Sequence, residues 1–381
     1  MRKSDSNFNP LIKLFAIFSG ILFMIVSCDD PNRPQDSERD LDLMIGQMLM
    51  IGFRGVDVDE TSPIVNDIRA GRVGGVILFD KDVALGYAQR NIVSPEQVEK
   101  LNSKLQSYSG TYKLLIAVDQ EGGRVARLKT DYGFLQTVTQ QYLGTLNNPD
   151  TTKFYADRTA ETLNNARFNV NFAPVVDLNV NPNSPAIGAL ERSFSREPHI
   201  VISNSEILIK SQKQKKVLSC LKHFPGHGSA SADSHLGFTD ITNSWSEEEL
   251  VPYRELIKRN EINMIMTAHV FNSKLDSVYP ATLSGSIISG ILRGQLGFDG
   301  VVVSDDMNMK AISEHYGLEY ALEMSIKAGV DVIVFGNNLI YDDEIASKAV
   351  NIIKDLVYSG KISKERIKQS YKRIVLLKSK I

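Results

Sequence analysis

The sequence predicts an α/β chain folded as a single (β/α)8 barrel, with a doubly wound parallel sheet as the alternative. Three observations carry this expectation. From Leu41 onward, eight short apolar runs alternate with segments of helical period over about 340 residues. Each run is near-continuously apolar, as strands buried on both faces must be. Nearly every run also ends in polar residues: Asp80, Asp119-Gln120-Glu121, Asp177, Lys222-His223, His269, Ser304-Asp305-Asp306 and Asn337-Asn338. A doubly wound sheet gathers its site at one switch point, whereas a barrel mouth draws on most of its strand ends.

The expected strands are 48–53, 76–79, 114–119, 170–177, 217–224, 264–269, 301–305 and 332–335. Helical patterns separate most of them. Ser94-Pro95-Glu96-Gln97 has the order of an N-cap, a proline at the first helical position and a capping-box residue. Ser246 to Glu249 is a second capping box, opening a helix to about residue 260. Residues 320–328 read as a helix stopped by Gly329. Two C-terminal helices, 343–358 and 363–378, repeat their apolar positions at helical spacing and should pack on the barrel.

Ahead of the barrel, Arg2, Lys3 and Lys13 precede an apolar run, 14–26, too short to span a bilayer. It ends Ile25-Val26-Ser27-Cys28, which resembles the lipobox of a bacterial lipoprotein signal peptide. That resemblance implies a leader over 1–27, a lipidated Cys28 and a polar tether to residue 40, with the barrel domain at 41–381. It also implies attachment to the bacterial cell envelope through the lipid. Cys28 and Cys220 are the two cysteines, so a lipidated Cys28 leaves Cys220 no disulfide partner; Cys220 reads as a small buried residue. The net charge of −2 gives no nucleic-acid footprint. A hydrophobic content of 43% with 23% charged residues is that of a globular protein.

The most informative stretch is 218–235, LSCLKHFPGHGSASADSH. It begins as a strand and becomes a Pro/Gly-broken loop carrying Lys222, His223, His227, Asp233 and His235. Asp and His two residues apart in a loop can hydrogen-bond. The carboxylate then fixes the imidazole tautomer and raises its pKa, which suits a general acid/base. His223 and His227 have the spacing of a helical zinc site, but Pro225 and Gly226 between them argue against a helix. A metal cage of His223, His227 and His235 stays open at this point.

At these residues the sequence resembles glycoside hydrolase family 3, in its β-N-acetylglucosaminidase branch. Three segments carry the match: 117–128 (AVDQEGGRVARL), 221–236 (LKHFPGHGSASADSHL), and PATLS from 280 with LRGQLGFDGVVVSDDMNMKAI over 292–312. NFAPVVDLNV (171–180) and MTAHVF (266–271) support it. The resemblance implies that Asp305 is the nucleophile, His235 the general acid/base and Asp233 its partner. It implies that Asp119, Arg127, Lys222 and His223 hold the terminal sugar, with Arg192 of ERSF as a further arginine. The register of Arg192 departs from the family, because Ala189-Leu190-Glu191 stands where one residue is common. His269 is a possible lining residue. Asp306 reads as a cap for the next helix, and Glu121 as part of a turn shaped by Gly122-Gly123.

The expected function is therefore a retaining, exo-acting β-N-acetylglucosaminidase of peptidoglycan or chitin-type fragments, with no metal or organic cofactor. Three rivals remain: a phosphorylase with the same site, a metal-dependent hydrolase on the three histidines, and a non-catalytic glycan-binding lipoprotein.

Overall fold

The computed structural model describes residues 38–381. The expected leader, Cys28 and the tether as far as residue 37 lie outside the described residues. Residues 38–40, expected in the tether, instead open the helix Glu38–Gln47.

The eight apolar runs form eight strands: β1 Leu49–Gly52, β2 Gly75–Ile77, β3 Leu115–Val118, β4 Val170–Asn171, β5 Leu218–Phe224, β6 Met264–Thr267, β7 Val301–Asp306 and β8 Val332–Phe335. Each pairs in parallel with the next, and β1 closes on β8 with Leu49 opposite Ile333. The chain is thus a (β/α)8, TIM-like barrel, and the doubly wound alternative falls. The runs are continuous because both faces are covered: Met48, Leu49, Met50, Val76, Val118, Val302 and Ile333 are fully buried. Cys220 sits inside β5 and is fully buried.

β4 is much shorter than its apolar run. Pro174 has no N–H for the ladder, so the pairing with β3 ends after Asn171. Beyond the proline the chain follows β5 more loosely, through a Val175–Lys222 bridge and the Val176 N–H bond to the Lys222 carbonyl at 2.9 Å. That continuation carries Asp177 up to the barrel mouth.

Ser94 caps the helix Pro95–Ser107 by accepting from the Gln97 N–H, while Gln97 accepts from Val93 rather than closing the box on Ser94. The second expected box does not form. Ser246 starts a short turn, Glu247–Leu250, with no side-chain cap, and the helix Val251–Lys258 follows with proline in its first turn. Glu249, expected as a capping residue, is buried and accepts from the Gly228 N–H at 3.2 Å. The helix Leu318–Ala328 ends at Gly329, whose φ of +120° favours glycine. Ile345–Tyr358 and Lys364–Lys378 are the two C-terminal helices, and both pack on Glu38–Gln47. Among the described residues no helix is long and apolar enough to cross a membrane.

Candidate active site

The C-terminal ends of the strands surround a cavity of about 460 Å³. Into it the fold brings Asp119 from β3, Lys222 and His223 from β5, Asp305 and Asp306 from β7, and Arg127, Arg192 and His235 from the connecting loops. These residues are far apart in sequence and meet because a barrel aims all its strand ends at one mouth.

One wall is a chain of charges. Arg192 grips Glu121 in a bidentate pair, 2.8 and 2.7 Å, and Lys222 Nζ lies 2.6 Å from Glu121 and 2.8 Å from Asp119. Arg127 reaches the other Asp119 oxygen at 3.6 Å. Burial works against the charge on Asp119, but Lys222 and Arg127 outweigh it and hold the carboxyl below its ordinary value. Glu121 is lowered in the same way by Arg192 and Lys222. Burial would lower Lys222, yet its two carboxylate partners raise it. The wall therefore stays ionised, and its outer oxygens and N–H groups can meet sugar hydroxyls. Arg192, despite its uncertain register, is in this wall; it also donates to the Ala186 carbonyl and lies 3.2 Å from His223 Nε2.

His223 is fixed by Asp177. Its ring Nδ1 is 2.7 Å from Asp177 Oδ2, and its backbone N–H donates to Oδ1 of the same carboxylate. The Lys222–His223 and Phe224–Pro225 peptides are cis.

Asp305 sits at the end of β7 and accepts from the Asp306 N–H at 2.8 Å. Burial alone would protonate it, but the neighbouring His269, His223 and His235 rings and that N–H hold its pKa at about 2. It is a carboxylate at any working pH. Asp306 differs: burial pushes it up to about 6. It caps no helix, contrary to expectation, because Lys310–Ser313 starts four residues later with Met309 at its N-cap. Instead one oxygen accepts from the Asn308 and Gly336 N–H groups, tying β7 to the loop after β8.

His235 and Asp233 form the expected pair, Nδ1 to Oδ1 at 2.8 Å. Burial would lower His235, but the Asp233 bond and the Asp305 charge raise it above its ordinary value. Asp233 is held down at about 2, chiefly by that bond. The His235 side chain is half exposed, so its free Nε2 can reach both a leaving group and water.

His269 does not line the cavity. Its Nδ1 meets Thr282 Oγ1 at 2.8 Å and its Nε2 the Asp306 carbonyl at 3.0 Å, so both nitrogens serve the strand end behind Asp305. The three histidines of the metal rival are held by separate partners: His223 by Asp177, His227 by Ser234 and His235 by Asp233. Among the described residues no three His, Cys, Asp or Glu side chains converge as a metal cage requires. Glu121, expected only as part of a turn, also supplies a carboxylate to the charged wall. Lys129 is a residue that the sequence reading passed over; it lines the cavity and pairs with Asp80 at 2.5 Å. No local signal marks either, since their partners come from other strands and loops.

Comparison with known proteins agrees with the barrel fold. Residues 40–377 match the sequence model described as Glycosyl hydrolase family 3 N terminal domain. Beta-hexosaminidase A of Pseudoalteromonas piscicida is 33% identical over 89% of this chain, and the chain spans 61% of that protein's length. A beta-hexosaminidase of Tolumonas auensis is 36% identical over 76% of the chain and 83% of its own length. Among solved structures, a family 3 beta-N-acetylglucosaminidase from Paenibacillus sp. superposes with a TM-score of 0.80 at 34% identity. That match covers 89% of this chain and 62% of that one.

Proposed function

The chain belongs to glycosyl hydrolase family 3, and from that premise we propose that it is a retaining, exo-acting β-N-acetylglucosaminidase. One observation carries the reading: a fixed carboxylate, Asp305, and a half-exposed imidazole, His235, share a single cavity of sugar size with a wall of ionised groups. In the first step the Asp305 carboxylate bonds to C1 while the C1–O bond breaks and His235 gives its proton to the leaving oxygen. In the second step water attacks C1, His235 takes its proton, and Asp305 leaves as a carboxylate. Asp233 steadies the imidazolium that enters the first step and is regenerated by the second, His235 being neutral between them. Asp119, Arg127, Lys222, His223 and Arg192 bind the hydroxyls and acetamido group of the terminal sugar. The relatives named beta-hexosaminidase support N-acetylglucosamine as that sugar. Substrates are β-linked fragments of peptidoglycan or chitin type, met at the bacterial envelope where the sequence around Cys28 supports a lipid anchor.

A 5-fluoro glycosyl fluoride of N-acetylglucosamine tests the reading. We expect a covalent sugar adduct on the peptide containing Asp305, seen by mass spectrometry and lost in Asp305→Ala. Turnover of a chromogenic donor by Asp305→Ala at the wild-type rate would sink it. The exposure of His235 would also admit a small anion to the second step, so products formed in phosphate and in a non-nucleophilic buffer separate hydrolysis from phosphorolysis.

A further inference from the structure

The loop that carries the acid/base is tied to the barrel by a histidine that the reaction itself does not use. His227 is 2% exposed and is absent from the cavity lining. Its backbone N–H donates to Asp177 Oδ1 at 2.9 Å, so it hangs from the carboxylate that also fixes His223. Its ring Nε2 lies 3.1 Å from Ser234 Oγ. Ser234 stands between Asp233 and His235, and it is the single buried residue in the stretch 231–238.

The ring is an expensive choice for that position. Burial holds its pKa down at about 4, so it is neutral under ordinary conditions. Its Nδ1 is buried with no hydrogen-bond partner among the described residues. An unmet buried polar group is destabilising, which an apolar side chain would avoid. What the imidazole supplies in return is the bond to Ser234. The far end of the loop is fastened differently, by the Phe238 ring packing on Phe271 and His315 at 5.4 and 5.9 Å. Asp233 and His235 flank the first fixing and are joined to each other.

We propose that His227 is a positioning residue for the acid/base: by pinning Ser234 to the core it sets the depth and direction at which His235 faces Asp305. This rests on the glycosidase reading above. Ser234→Ala removes one oxygen, and His227→Phe keeps the ring's bulk without its nitrogens. His227→Gln restores a polar group at a similar reach.

Each variant is assayed on two donors. N,N′-diacetylchitobiose needs its leaving oxygen protonated, whereas a 2,4-dinitrophenyl N-acetyl-β-glucosaminide does not. For a displaced but present acid we expect kcat/KM on the disaccharide to fall about 10- to 100-fold in Ser234→Ala and His227→Phe, part of the full worth of acid/base catalysis. On the dinitrophenyl donor kcat/KM stays within about threefold of wild type. His227→Gln recovers much of the loss, and azide, which attacks the glycosyl-enzyme without a base, restores kcat on the activated donor. Equal losses on both donors, or no loss on either, overturn the positioning role and leave the glycosidase reading standing. Wild-type protein that turns over neither donor overturns both.

Discussion

Asp233 and Asp305 have their pKa values held at about 2 by different means, and the difference assigns their work. Asp305 is kept charged by several rings and an N–H around it, and so stays available to attack carbon. Asp233 is kept charged chiefly by one imidazole, and the same bond raises His235. The acid must be protonated to act, so kcat/KM should fall as pH rises through the raised His235 value. Asp233→Asn removes the charge that does part of the raising. Its falling limb should therefore move to lower pH, with a loss of roughly tenfold or more at pH 7 on a disaccharide. A pH profile of kcat/KM checks this, and an unmoved limb would assign the titration elsewhere. At this scale the sequence was legible where partners are neighbours, as in Asp233-Ser234-His235. It put Glu121 in a turn but was silent on its ion pair with Arg192, 71 residues away, and on which way the His269 ring is turned.

The loop after β5 shows how an element is shaped from beneath. Gly226 has φ +125°, and a Cβ at Gly228 would stand 1.7 Å from the Leu178 carbonyl oxygen, so the backbone lies flat on β4's continuation. Glu249 closes this loop from the outer side, and burial pushes it up to about 8. Its folded pKa lies above its unfolded one, so the native state takes up a proton there. The stabilisation is complete below about pH 4.5 and is lost as pH rises toward about 8, at up to about 1.4 kcal/mol per pH unit. Glu249→Gln, always neutral, should gain stability relative to wild type between pH 5 and pH 8, read by urea unfolding at both. A constant difference would show that the carboxyl ionises freely in the fold. The sequence marked Glu249 as a capping residue because Ser-x-x-Glu is a local pattern. Gly228, twenty-one residues away, claimed the carboxyl instead, and a tertiary contact outweighed the local one.

Across the whole molecule the two ends of the barrel divide the labour. At the end away from the cavity, the buried Asp331 just before β8 binds Arg293 at 2.7 Å, Arg366 at 3.1 Å, Arg373 at 3.3 Å and Ser370 at 2.7 Å. It thereby ties the helices Ser286–Gln295 and Lys364–Lys378 to the sheet. Asp331→Ala takes the carboxylate from three arginines, leaving Arg293 and Arg366 on backbone carbonyls alone, and should cost about 3 kcal/mol in denaturant unfolding. The molecules that remain folded, counted by fluorosugar labelling, should keep wild-type kcat/KM. The eight-strand count and the barrel class were legible in the sequence because apolar runs and helical periods are local properties. The length of β4 was not, since Pro174 ends the pairing inside a run that stays apolar. The interior placement of Cys220 has its own consequence. Burial lifts its thiol well above the ordinary range, so an alkylating probe finds no thiolate there while the staves stay closed. Its labelling rate, read on the peptide that contains Cys220, is then a clock for barrel opening, and a bound sugar analogue should slow it.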